Sequence, residues 1–151
     1  MCIFRVVSKV HSFQEFIDLN PDFPVYKTHE KGEKMDIGKE DLLYEDYGIY
    51  VEVSDRSWRD IEGQTIDMIS FLEVYGPFLE TLRTTHQVDD WRFDIPYECQ
   101  LNDTNYVQCN YLSPKLIKKA ASLDIGIELS LYWPAEEEEE AKAINDKTKL
   151  S

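Results

Sequence analysis

Glycine is scarce in this chain, with six residues in 151. None sits in a phosphate-cradling loop or a nucleophile elbow, so the sequence offers no start for nucleotide binding or for hydrolase chemistry of that kind. Histidine is scarcer, with three residues. His11, His29 and His86 are never three or four positions apart, so no helical metal pair exists, and a metal would need ligands converging from separate elements. Cys2, Cys99 and Cys109 are odd in number and widely scattered, which is no disulfide framework; reduced, packed thiols are expected. No apolar run approaches the roughly 20 residues of a membrane span. The opening MCIFRVVSKVHSF has no cationic lead and no small-residue cleavage site. It reads as a first strand and not as a signal peptide, and a cytoplasmic location is expected. Neither a cofactor nor a metal site is expected.

Positive charge is also in deficit: 16 Lys and Arg stand against 30 Asp and Glu, for a net charge of −14. Residues 135–151 hold six acids and three lysines, so they carry −3 and the rest of the chain −11. Such a field repels nucleic acid and anionic membranes and speeds encounter with basic partners. Its plainest alternative use is solubility.

Apolar residues make up 42% and aromatics 13%, enough for one packed core at this length. The clearest unit is residues 112–133, LSPKLIKKAASLDIGIELSLYW. Ser113 can cap a helix, and Pro114 suits its first position. Leu116, Ile117, Ala120 and Leu123 recur at helical spacing, with Lys115, Lys118 and Lys119 outward. After Asp124 and Gly126 the period becomes two, with Ile127, Leu129, Leu131 and Trp133 on one face. Upstream, residues 2–7 suggest a strand and residues 13–19 a short helix capped by Ser12, with Glu15 completing a capping box. Residues 25–29 suggest an edge strand and residues 48–54 an alternating one. Residues 63–85 form the longest helical pattern, through Ile66, Ile69, Leu72, Tyr75, Leu79 and Leu82. Pro77 predicts a kink or a division into two helices. Residues 91–98 alternate strictly, and Pro96 argues for a sheet edge. Residues 106–112 read as a further strand.

The expected order is βαββαββαβ: an α+β single domain, a mostly antiparallel sheet of about six strands with helices packed on one face. The first six elements follow a split βαβ, ferredoxin-like order. The domain spans residues 1–134, and the acidic residues 135–151 are expected to be disordered.

Two clusters could carry function. His86, Asp89 and Asp90, with Cys99 or Cys109, could in principle activate a thiol, the basis of a small-enzyme alternative. Against it, no cationic group obviously lowers either cysteine's pKa. Residues 39–47 are hard to class as helix or loop, but they set carboxylates between tyrosines. Tyrosine supplies rigid contact area and carboxylates supply steering, a combination suited to a basic protein partner. Asp41, Tyr44, Glu45, Asp46 and Tyr47 are the candidate contacts, with Asp89, Asp90 and Asp103 as a second acidic patch. No catalytic residue is assigned. A structural accessory domain that dimerises through a sheet edge or helix face is a third option.

Residues 112–132 resemble the C-terminal unit of an uncharacterised bacterial family, domain of unknown function 4279, whose members end in a similar helix–turn–strand pattern. Lys31-Gly32-Glu33 is similar to that family's lysine–glycine–acid turn. Where the family pattern leads one to expect a tryptophan near Gly48, this chain has Tyr50. The resemblance spans most of residues 1–133, and it brings no catalytic residues. In kind, a small acidic α+β chain also resembles the immunity proteins of bacterial toxin systems. That likeness implies steric and electrostatic blocking of a cognate toxin, often a basic nuclease.

Overall fold

Cys2–Ser8 forms β1, the middle strand of a five-stranded sheet. The computed structural model describes residues 1–35 and 42–133. After β1 come α1 (Gln14–Leu19), β2 (Val25–His29), β3 (Tyr47–Ser54), α2 (Ile61–Thr85), β4 (Asp90–Glu98), α3 (Pro114–Ser122) and β5 (Gly126–Tyr132). The sheet order is β2-β3-β1-β4-β5, antiparallel throughout except for the parallel β4–β5 pair. The α+β architecture is therefore as expected. Because β3 lies between β1 and β2 and is antiparallel to both, the first six elements have the split βαβ arrangement. α3 and β5 extend that unit by one parallel strand.

Alternation along β1 explains the layering. Phe4 and Val6 are fully buried and face the helices. The Phe4 ring lies 5.5 Å from Phe71 of α2, 5.2 Å from Phe93 and 6.2 Å from Trp91. α1 enters the same core through Phe13 and Phe16, and Phe16 packs edge-on to Phe23 at 5.3 Å.

Several local expectations are corrected. Ser12 does not make a capping box: its hydroxyl donates to Glu30 Oε1 at 2.7 Å and accepts from the Gln14 N–H. α2 is one element through Pro77, and it starts two residues earlier than its periodicity suggests because Asp60 Oδ1 accepts from the Gly63 N–H at 2.8 Å. Its buried stripe runs through Met68, Phe71, Leu72, Leu79 and Leu82, and Ile66 is exposed. Pro96 is on an inner strand, yet it lies beyond Asp94, the last β4 residue registered with β1. Its missing N–H therefore falls where β1 has ended.

Residues 106–112 are not a strand, so the described residues hold five strands and not six. Side chains take the place of a ladder there. The Gln100 N–H donates to Gln108 Oε1, and Gln108 Nε2 donates to the Glu98 carbonyl. Asn102 Oδ1 accepts from the Thr104 and Asn105 N–H groups. Backbone groups satisfied by nearby amide side chains have no need of a strand partner. Residues 135–151 lie outside the described residues.

Candidate functional site

The β2–β3 connection resolves the segment that was hardest to class. Gly32 takes the left-handed conformation (φ 87°) that glycine adopts without strain. The chain then doubles back: the Gly32 N–H donates to the Tyr44 carbonyl at 2.8 Å, Tyr44 N–H to Glu33 at 2.9 Å, and Met35 N–H to Leu42 at 2.8 Å. Residues 42–46 are thus one side of a hairpin arm and not a helical turn. Asp41 lies outside the described residues.

The arm closes over His29. The imidazole rests on Gly48, where a Cβ would come within 2.1 Å of its Cε1. Tyr44 stacks on the imidazole, with ring centroids 3.8 Å apart. Asp46 Oδ1 is 2.7 Å from Nε2. An ionised carboxylate only accepts, so Nε2 carries the proton and donates. His29 is almost wholly buried, and its Nδ1 has no partner. Two of the candidate contacts, Tyr44 and Asp46, are therefore engaged in holding a buried histidine. Composition did not flag His29; the single available signal was glycine at position 48, opposite it on the next strand.

Strand register gathers the rest. Ser8 of β1 pairs with Tyr47, and Val7 pairs with Asp90. Glu45, Asp46, Tyr47, Asp89 and Asp90 consequently share one end of the sheet. Glu45 is exposed, and Tyr47 is half-buried against the core. Asp89 Oδ2 accepts from the Lys9 N–H at 2.7 Å, and Asp90 pairs with Arg92 at 2.5 Å. Asp103 is exposed at the opposite end, beyond β4.

The thiol cluster is not assembled. His86 ends α2, where its ring meets Phe13 at 5.9 Å, Phe16 at 6.1 Å and His11 at 6.4 Å. Burial first, then His11, hold its pKa below the ordinary value, with Glu15 opposing. Cys99 is buried past the far end of β4, the length of a nine-residue strand away, roughly 30 Å. Cys109 is exposed on the irregular strap that follows. Cys2, buried at the start of β1, has its thiol pKa pushed up to about 12, by burial before any charge.

A cleft of about 840 Å³ lies between the first turns of α2 and this strap. Ile61, Ile66 and Ile69 form one wall, Val107 and Tyr111 the other, and the buried Thr65 hydroxyl between them has no partner. Of the lysines on α3, Lys115 and Lys119 both reach Glu73, at 2.9 and 3.3 Å, which lowers the basic character of that face. No group of three His, Cys, Asp or Glu that could hold a metal occurs among the described residues. Nor is any described helix long and apolar enough to cross a membrane.

The fold and these sites define a ferredoxin-like α+β domain with an added parallel strand. No family model, curated protein or solved structure matches the chain.

Proposed function

We propose that the chain is an immunity-type binding protein, which neutralises a cognate bacterial toxin domain, basic in charge, by covering its working surface in the cytoplasm. The observation that carries the reading is the register of β1, which draws two acidic segments far apart in sequence to one end of the sheet. A net charge of −14 supports steering of a basic partner toward that end. Within the patch the roles divide. Tyr44 and Asp46 shape the arm through His29, and Asp90 is committed to Arg92. Glu45 and Asp89 are exposed and are the contacts proposed here, with Tyr47 as their half-buried support. Membership of family 4279 belongs to the same proposal and rests on the pattern of residues 112–132. His86 and Cys99 lie at opposite ends of β4, so that pair gives no support to the small-enzyme alternative.

Co-expression with a panel of basic nuclease toxin domains, read as restored growth, tests the reading. With the toxin so found, the association rate should fall about tenfold or more between low and high salt. Glu45→Lys combined with Asp89→Lys should slow association further. A rate indifferent to salt would rule out steering. Unchanged affinity in the double variant would remove these contacts, and no rescue across the panel would sink the immunity reading.

A further inference from the structure

The sheet face that the helices leave open carries a charge arrangement separate from the acidic end. Arg5, at the middle of β1, is flanked in register by Tyr50 on β3 and Arg92 on β4. Two residues further along β4, Asp94 pairs with Ile3 on one side and Glu128 of β5 on the other. These six residues line a pocket of about 160 Å³.

The two arginines differ in their engagement. Arg92 is held by Asp90 at 2.5 Å and by Glu128 at 3.0 Å. Asp94 accepts the Ser130 hydroxyl at 2.5 Å. Arg5 forms no ion pair among the described residues, and its Nε is shut from solvent without an acceptor. An unclaimed guanidinium is unexpected in a chain with so large an excess of acids, because its fork of donors is suited to a carboxylate.

Charge decides the ligand class. Arg5 and Arg92 against Asp94 and Glu128 leave the pocket lining balanced in charge. A simple anion would satisfy Arg5 but meet two carboxylates. A simple cation would leave Arg5 unpaired. A molecule bearing both charges on neighbouring atoms suits both sides. We propose that this pocket binds a small zwitterion, a free α-amino acid, with its carboxylate on Arg5 and its ammonium turned to Asp94. Diagonal neighbours on antiparallel strands lie about 7–8 Å apart, a span that a molecule of this size bridges. Tyr50 lines the same pocket, and its hydroxyl is a donor of the kind that carboxylate needs. Burial raises its pKa, Arg5 opposes that, and Tyr44 and Asp46 add to it, so it stays protonated. Ile3 is the one aliphatic residue of the lining, and a volume of about 160 Å³ suits an amino acid with a small side chain.

The test is a titration of the ¹⁵N-labelled full chain with glycine, alanine, acetate and methylammonium at constant ionic strength. Glycine and alanine should shift amides of β1, β3 and β4 saturably, and the two single-charge compounds should bind about tenfold more weakly or less. Arg5→Met should weaken alanine binding by about tenfold or more, and Asp94→Asn should weaken alanine while sparing acetate. If Arg5→Met fails to fold, Arg5→Lys keeps the charge, loses the fork and should still weaken alanine several-fold. Acetate binding as tightly as alanine would make this a plain carboxylate site and overturn the proposal. So would undiminished alanine binding in a folded Arg5 variant, or no shift in these strands with any titrant. None of these outcomes depends on the acidic end or on a toxin partner.

Discussion

β1 and β5 are both alternating seven-residue strands, yet one is sealed and the other half open. α2 has 25 residues, roughly 37 Å, longer than any strand of the sheet it packs on. α3 has nine residues, roughly 13 Å, against roughly 23 Å for β5. Ile127, near the start of β5, is therefore partly buried and joins the core. Leu129 and Leu131, further along β5, are 42% and 48% exposed. Alternation states which side of a strand could be buried. Whether it is buried depends on the length of the element laid across it.

Phe4→Ala breaks the sealed half. The ring is fully buried and meets three other aromatic rings, so removing it forfeits its burial and leaves a cavity. A loss of about 3–5 kcal/mol is expected in urea unfolding. A loss below about 1 kcal/mol would mean that β1 is not the tightly packed axis described above.

The buried thiol at the head of β1 gives the next effect. Burial raises Cys2 from an ordinary 9.0 to about 12. For a group whose folded pKa is raised, the stabilisation is fully present below the unfolded pKa and is lost as pH rises through the folded one. Stability should thus decline between pH 9 and 12, by about 2 kcal/mol near pH 10.5. Tyr50, also raised, acts with the same sign at higher pH. Cys2→Ala should flatten this decline relative to neutral pH. An equal alkaline slope in that variant would show that Cys2 is not its source.

Local signals carried much of this fold. Ser113 and Pro114 open α3 as their chemistry implies, and the Leu116 N–H donates to Ser113 Oγ at 3.3 Å. The strands with clean alternation are where the pattern puts them. What failed needed partners distant in sequence. Residues 106–112 look extended and apolar, yet Gln108 ties the strap to Glu98 and Gln100 without a ladder. The acidic segments could be seen, but their joining at one end of the sheet depends on strand register. His29 had no sequence signal of its own, because its burial comes from Tyr44, Asp46 and Gly48 arriving around it. The open-face pocket combines residues from four strands, and no linear spacing encodes it.

Leu131→Lys tests the open half, and its expected effect is the smallest. The side chain is exposed, and its strand neighbour on β4 is the partly buried Tyr97. A lysine can keep its stem along the sheet and its ammonium in water. The unfolding midpoint should stay within about 0.5 kcal/mol of the parent. Because β5 is an edge strand, the added charge should also discourage edge-to-edge pairing of two copies, visible as an unchanged or lower mass by light scattering at high concentration. A destabilisation approaching that of Phe4→Ala would mean that the outer half of β5 is covered in solution, and the contrast between the two strands would fail at that point.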